Sequence, residues 1–271
     1  MEKLYITGDI HGNFKPLVFY LRTKKEQKNE LNDIWNVIVC GDIGMGFERP
    51  NYYKDTFSRL NKKLVEENIC LFFLRGNHDN PVYFTEETPL DIEFSNIRFL
   101  KDYEIIRLCG YNILPVGGAT SIDQAFRREN VSWWKDEKVQ VFSQEEIRKL
   151  KDVDIVCTHC APQFVNPQFD YGYNDGVNEV MLLSKHDRII LMSLYFELIK
   201  NNDLKWWFYG HYHDHYETNV PMELSDIEKR ELESGFIIEE DTDVKKEGHC
   251  RFIGLDMLEG VNKKIDLFKV C

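Results

Sequence analysis

Short runs of β-branched and aromatic residues recur along the chain, and each stops abruptly at polar residues: "KLYITGDIHG", "WNVIVCGDIG", "ICLFFLRGNHD", "VDIVCTHCAP" and "LKWWFYGHYHDH". Such runs predict buried strands whose C-terminal ends open into loops. Amphipathic stretches at residues 14–27 and 52–67 lie between the early runs, so the order is strand, helix, strand, helix, strand, and an α/β layered fold follows. From residue 97 to 117 the pattern changes to adjacent strand-like pieces separated by turn residues, as in hairpins, which implies a second sheet or an antiparallel extension of the first. Residues 163–185 have no clean period and predict a long loop, and residues 187–201 predict a helix with Asp187 as its N-cap. An acidic insertion at about 221–247 precedes two further strand-like pieces, "HCRFIGLDML" and "KKIDLFKV". The whole, 1–271, is expected to be a single domain.

Composition narrows the class. A hydrophobic fraction of 43% and the lack of a long apolar run predict a globular chain with no membrane partner. No secretory leader is legible at the start, and the seven cysteines lack framework spacing, so a cytoplasmic location with free thiols is expected. Cys157 and Cys160 in "CTHC" are assigned to the core rather than to a redox or zinc pair. A formal charge of −12 argues against an extended nucleic-acid groove, although a metal centre can supply local positive charge for phosphate chemistry.

The polar residues that end the strands form a set: Asp9 and His11, Asp42, Asn77 with His78 and Asp79, His159, and then His211 and His213. Alternate residues of an extended segment share a face, so Asp9 with His11 and His211 with His213 can each present two ligands together. If the strand ends align at one sheet edge, all of these groups meet in a crevice outside the strand C-termini. Imidazoles, carboxylates and one amide suit two divalent ions sharing an aspartate, with manganese first and iron, zinc or nickel as alternatives.

Together, "GDIHG", "GD", "GNHD", "TH" followed by "AP", and "GHYH" resemble the ordered motif set of the calcineurin-like metallophosphoesterases. The resemblance implies a four-layer αββα sandwich of two mixed β-sheets flanked by helices. It also implies one metal held by Asp9, His11, Asp42 and His213, and a second held by Asp42, Asn77, His159 and His211. His78 would be the general acid. Two ions about 3.5–4 Å apart can hold a hydroxide for in-line displacement, so a phosphomonoester or phosphodiester hydrolase is expected, acting on a small molecule, a nucleotide or a nucleic acid end.

One block departs from the pattern. Where many protein phosphatases of this superfamily carry an aspartate and an arginine ("GDxVDRG"), this chain reads "GDIGMGF". That weakens the alternative of a serine/threonine-type phosphoprotein phosphatase, and a non-catalytic scaffold is the alternative from another class. Arg127 or Arg128, in the loop after "GGATS", is expected to grip substrate phosphate instead. Asp79 is a candidate to orient His78, with turn stabilisation as its competing role. Trp133 and Trp134 are assigned to core anchoring over base stacking.

Overall fold

Alternation within the strands sorts the chain into layers. In the computed structural model, which describes residues 1–165, 184–219, 250–258 and 267–271, the first sheet has the order β11-β1-β2-β3-β4. Its members are β1 (Glu2–Thr7), β2 (Ile34–Val39), β3 (Ile69–Phe73), β4 (Ile97–Phe99) and β11 (Leu267–Lys269). The second sheet has the order β5-β6-β7-β8-β10-β9, from β5 (Ile106–Leu108), β6 (Tyr111–Val116), β7 (Ile155–Thr158), β8 (Trp206–Tyr209), β9 (Tyr216–Asn219) and β10 (Arg251–Gly254). Strands β1 to β4 run parallel, as do β6, β7, β8 and β10, while β11, β5 and β9 pair antiparallel at the margins. The sheets are therefore mixed.

Side chains alternate between two cores, as a period of two requires. Leu4, Ile6, Ile38 and Phe72 of the first sheet meet Ile113, Ile155, Cys157, Phe208 and Ile253 of the second in one buried cluster, so the sheets pack face to face. On the outer side of the first sheet, Tyr5, Val37, Leu71 and Phe73 pack against α1 (Phe14–Gln27) and α2 (Pro50–Glu66). On the outer side of the second, Val156, Trp207 and Phe252 pack against α3 (Gln144–Lys149) and α4 (Lys185–Ile199). Helix, sheet, sheet and helix layers follow directly from that alternation.

Two local expectations are corrected. Of the pieces between residues 97 and 117, only β5 and β6 form a hairpin; β4 extends the first sheet parallel to β3. Helix α4 starts two residues earlier than expected, after Ser184, and Asp187 is a buried first-turn residue. Its carboxylate accepts hydrogen bonds from Thr120 Oγ1 at 2.5 Å and the Val139 backbone N–H at 3.1 Å. It ties α4 to distant loops instead of capping the helix. Most of the expected loop at 163–185 and all of the acidic insertion at 221–247 lie outside the described residues. No helix among the described residues is long and apolar enough to cross a membrane.

Candidate metal centre

The parallel strands β1, β2, β3, β7 and β8 end at one edge of the sandwich, and the residues just past them carry Asp9, Asp42, Asn77, His159 and His211. Ligand atoms of Asp9, His11, Asp42 and His213 all lie within 4.8 Å of one another. His213 Nε2 is 3.1 Å from Asp9 Oδ2 and 3.3 Å from His11 Nε2, and His11 Nε2 is 3.9 Å from both Asp9 Oδ2 and Asp42 Oδ2. Asp42 also faces a second group. His159 Nε2 stands 3.2 Å from Asp42 Oδ1 and 2.9 Å from Asn77 Oδ1, and the His211 ring centroid is 5.0 Å from that of His159. One shared carboxylate thus joins two sets of four.

The way these side chains converge corrects the alternation argument. His11 (φ 43°), Asp42 (φ 48°), His211 (φ 71°) and His213 (φ 53°) are in the left-handed region, so none continues an extended strand. His211 stands beside His159, whereas His213 stands beside Asp9 and His11. Non-glycine residues in this conformation cost of order 1–3 kcal/mol each and persist where surrounding structure fixes them. Glycines supply the room: a Cβ at Gly76 would be driven into the Asp42 carboxylate, and one at Gly210 into Asp9.

Does this set of donors fit divalent cations? His211 Nε2 is buried with no hydrogen-bond partner, an orphaned nitrogen on a ring whose centroid is 5.0 Å from that of His159. Burial pushes the His211 imidazole down to about 3, with the nearby His159 adding to the effect, so the ring is neutral and its lone pair is available for coordination. Burial opposes charge on His159 as well, yet the Asp42 and Asp9 carboxylates raise it to about 9. His159 Nδ1 is 2.7 Å from the Cys40 carbonyl, the outer-sphere bond that leaves Nε2 as the coordinating atom. The donor set fits a divalent cation at Asp9, His11, Asp42 and His213, and His159 and Asn77 stand beside the same Asp42 carboxylate.

His78 and Arg127 complete the crevice. His78 donates its backbone N–H to Asp42 Oδ1 at 2.8 Å, and its ring lies 5.2 Å from that of His11. Arg127, which is 11% exposed, places Nη2 2.6 Å from His78 Nε2 and Nε 2.8 Å from Asp123 Oδ1. Arg128 is exposed, and among the described residues its backbone alone makes hydrogen bonds, including one to Ser132 Oγ at 3.1 Å. The structure thus separates the two arginines. Asp79 is fully buried and accepts N–H donors from Ile43, Gly44, Met45 and Gly76 at 2.7–3.1 Å. Those bonds go to backbone and not to His78, so the turn-stabilising role is the one observed.

Sequence reasoning missed the residues that hold the ligands in place. Asn77 Nδ2 donates to Ser121 Oγ at 3.1 Å, and Ser121 gives its hydroxyl and backbone N–H to the buried Glu137 at 2.8 and 2.6 Å. That chain turns the Asn77 carbonyl oxygen toward His159. Arg75, also buried, pairs with Asp102 at 2.8 Å and donates to the Glu137 and Lys138 carbonyls at 2.7 and 2.9 Å. The available signals were Arg75 beside "GNHD" and Ser121 at the end of "GGATS".

The sequence model of the calcineurin-like phosphoesterases matches residues 2–215. The chain belongs to that family. The DNA double-strand break repair protein Mre11 of Methanocaldococcus jannaschii is 26% identical over 222 residues, covering 78% of this chain and 59% of that protein. The chain therefore spans less than two thirds of that relative's length. A chain in a solved crystal structure superposes with a TM-score of 0.50 at 13% identity, over 79% of this chain and 86% of that one, a likeness of fold alone.

Proposed function

We propose that this calcineurin-like phosphoesterase hydrolyses a phosphodiester or phosphomonoester with His78 as general acid and Arg127 as the phosphate-gripping residue. The observation that carries the reading is Asp42 shared between the two donor sets, with His78 bonded to the same carboxylate through its backbone. When bound, divalent cations, manganese first, supply Lewis-acid stabilisation of phosphoryl charge and activation of water. The protein's own part is positional. Asp9, His11, Asp42 and His213 on one side, and Asn77, His159 and His211 on the other, hold a cradle for a tetrahedral phosphoryl group. The fixed Asp42 amide contact aims the His78 ring across that cradle, where it can protonate the departing oxygen. Arg127 supplies a fork of N–H donors on the same side, at the task that an arginine after the bridging aspartate performs in the protein phosphatases.

The relative named for DNA double-strand break repair supports a phosphodiester as the first substrate class. The test is hydrolysis of bis-p-nitrophenyl phosphate against p-nitrophenyl phosphate with added manganese, with Asp42→Asn as control. Turnover of one or both esters, lost in the control, is expected. No turnover of either ester by protein carrying two ions would remove the reading.

A further inference from the structure

We propose that the cavity beside His78 is a leaving-group subsite for a flat nitrogen heterocycle, so that the esters cleaved here carry a nucleobase. The inference rests on the phosphoesterase reading above, because His78 marks where the ester oxygen departs. Whatever is attached to that oxygen enters the adjoining space. That space is a cavity of about 330 Å³ between His11 and His78, walled by Phe14, Phe47, Tyr52 and Tyr53. Its volume is at the small end of the roughly 300–1,000 Å³ typical of ligand pockets, enough for one ring system with a sugar rather than a peptide.

The wall is built rather than incidental. In "GDIGMGFE", the residues after Asp42 are pinned from two sides. Asp79 takes the N–H groups of Ile43, Gly44 and Met45. Tyr53 takes those of Gly46 and Glu48 at 2.9 and 3.1 Å and donates to the Gly44 carbonyl at 2.8 Å. Phe47, carried on this fixed loop, is held edge-on by Trp134 with ring centroids 5.4 Å apart and stands 6.3 Å from the His78 ring. Yet Phe47 remains 43% exposed and Tyr52 50% exposed. Two large aromatic surfaces are thus left open at the cavity, at positions fixed before anything binds. Rings of this kind stack on bases.

Glu48 is also a lining residue, and its carboxylate would serve as an acceptor for the ring or amino N–H groups of a base. A plain phenyl leaving group would use the rings and leave that acceptor idle. A cationic leaving group would suit both but would enter beside a second cation, because Arg127 Nη2 lies 2.6 Å from Nε2 of His78, a lining residue. A neutral heterocycle with N–H donors uses the rings and the acceptor without that repulsion.

The experiment compares kcat/KM for the dinucleotide ApA with glycerophosphoglycerol, or for 5′-AMP with glycerol 3-phosphate, according to which class of p-nitrophenyl ester is turned over. Phenyl phosphate and phosphocholine, or their diesters, complete the panel. The nucleotide is expected to be preferred over the glycerol ester by at least about 10-fold, and Phe47→Ala and Tyr52→Ala each to reduce that ratio by at least about 5-fold. Calorimetry of adenosine on metal-depleted protein, expected to show saturable binding weakened by the same substitutions, is independent of turnover. Adenosine binding without hydrolysis of either p-nitrophenyl ester would remove the phosphoesterase reading and keep the subsite. Hydrolysis without nucleotide preference, or a preference untouched in both variants, would overturn the subsite. An equal preference for the phenyl or choline ester would overturn the nucleobase assignment.

Discussion

The Arg127 guanidinium reaches 2.6 Å from His78 Nε2 while Asp123 holds its other face at 2.8 Å. Arginine only donates, so in this state His78 accepts on Nε2 and has no proton to give from that atom. A phosphate oxygen is a stronger acceptor than a neutral imidazole, so a bound ester draws the guanidinium away and frees His78. Arg127→Ala is therefore expected to lower kcat/KM about 10- to 100-fold, the scale of one hydrogen bond to a charged group at about 1.5–3 kcal/mol. Arg128→Ala is expected to stay within about twofold of wild type. Steady-state kinetics on a p-nitrophenyl ester decide it, and equal effects of the two substitutions would contradict the assignment.

His78 and Asp79 are adjacent in sequence but differ in task. His78→Ala is expected to reduce kcat by about 10²- to 10⁴-fold with metal content unchanged. Asp79→Asn replaces the acceptor of four backbone N–H groups with an amide that must turn an NH2 toward some of them. A loss of roughly 2–4 kcal/mol in unfolding free energy is expected, read by urea denaturation. If Asp79→Asn left stability intact and removed only the acid step, Asp79 would be an orienting partner of His78 after all.

Ser121 and Glu137 position Asn77 without belonging to either donor set. Ser121→Ala frees the amide to rotate and is expected to weaken binding of one of the two manganese ions about 10- to 100-fold, with the other little changed. Calorimetric titration of metal-depleted protein separates the two events. Equal weakening of both ions would assign Ser121 a general structural role.

Glu137 also sets a pH signature. Burial pushes its carboxyl up to about 7 from the usual 4.5, although the Ser121 hydrogen bonds pull the other way. With the folded-state value raised, its contribution to stability is present below about 4.5 and lost as pH rises through about 7. Glu137→Gln removes that slope. The stability difference between wild type and variant is expected to shift toward the variant between pH 4.5 and 8, in urea titrations of metal-depleted protein. A difference that stays constant over this range would mean that Glu137 is ionised throughout.

The layers were legible because buried strands write their period into the sequence. Leu4 and Ile6 face one core and Tyr5 the other, and the polar residues that end each run mark the strand C-termini. The donor set was legible for the same reason. Its spacing was misread: His211 and His213 look like alternate residues of a strand, but both adopt positive φ, and left-handed backbone leaves no periodic trace. Asp187 looked like a cap because a short acid before an apolar run fits one. Its bonds to Thr120 and Val139 depend on tertiary neighbours that no local pattern announces. Ser121 and Glu137 were invisible on the same ground, being sixteen positions apart and meaningful only once Asn77 lies between the sheets and their loops.

The central claim is that Asp42 bridges two cation sites. It is tested most directly by counting ions per chain, by native mass spectrometry of protein loaded with manganese, for wild type and Asp42→Asn. Two ions in the wild type and fewer than two in the variant are expected. No bound ion in the wild type, or two retained undiminished in Asp42→Asn, would contradict it.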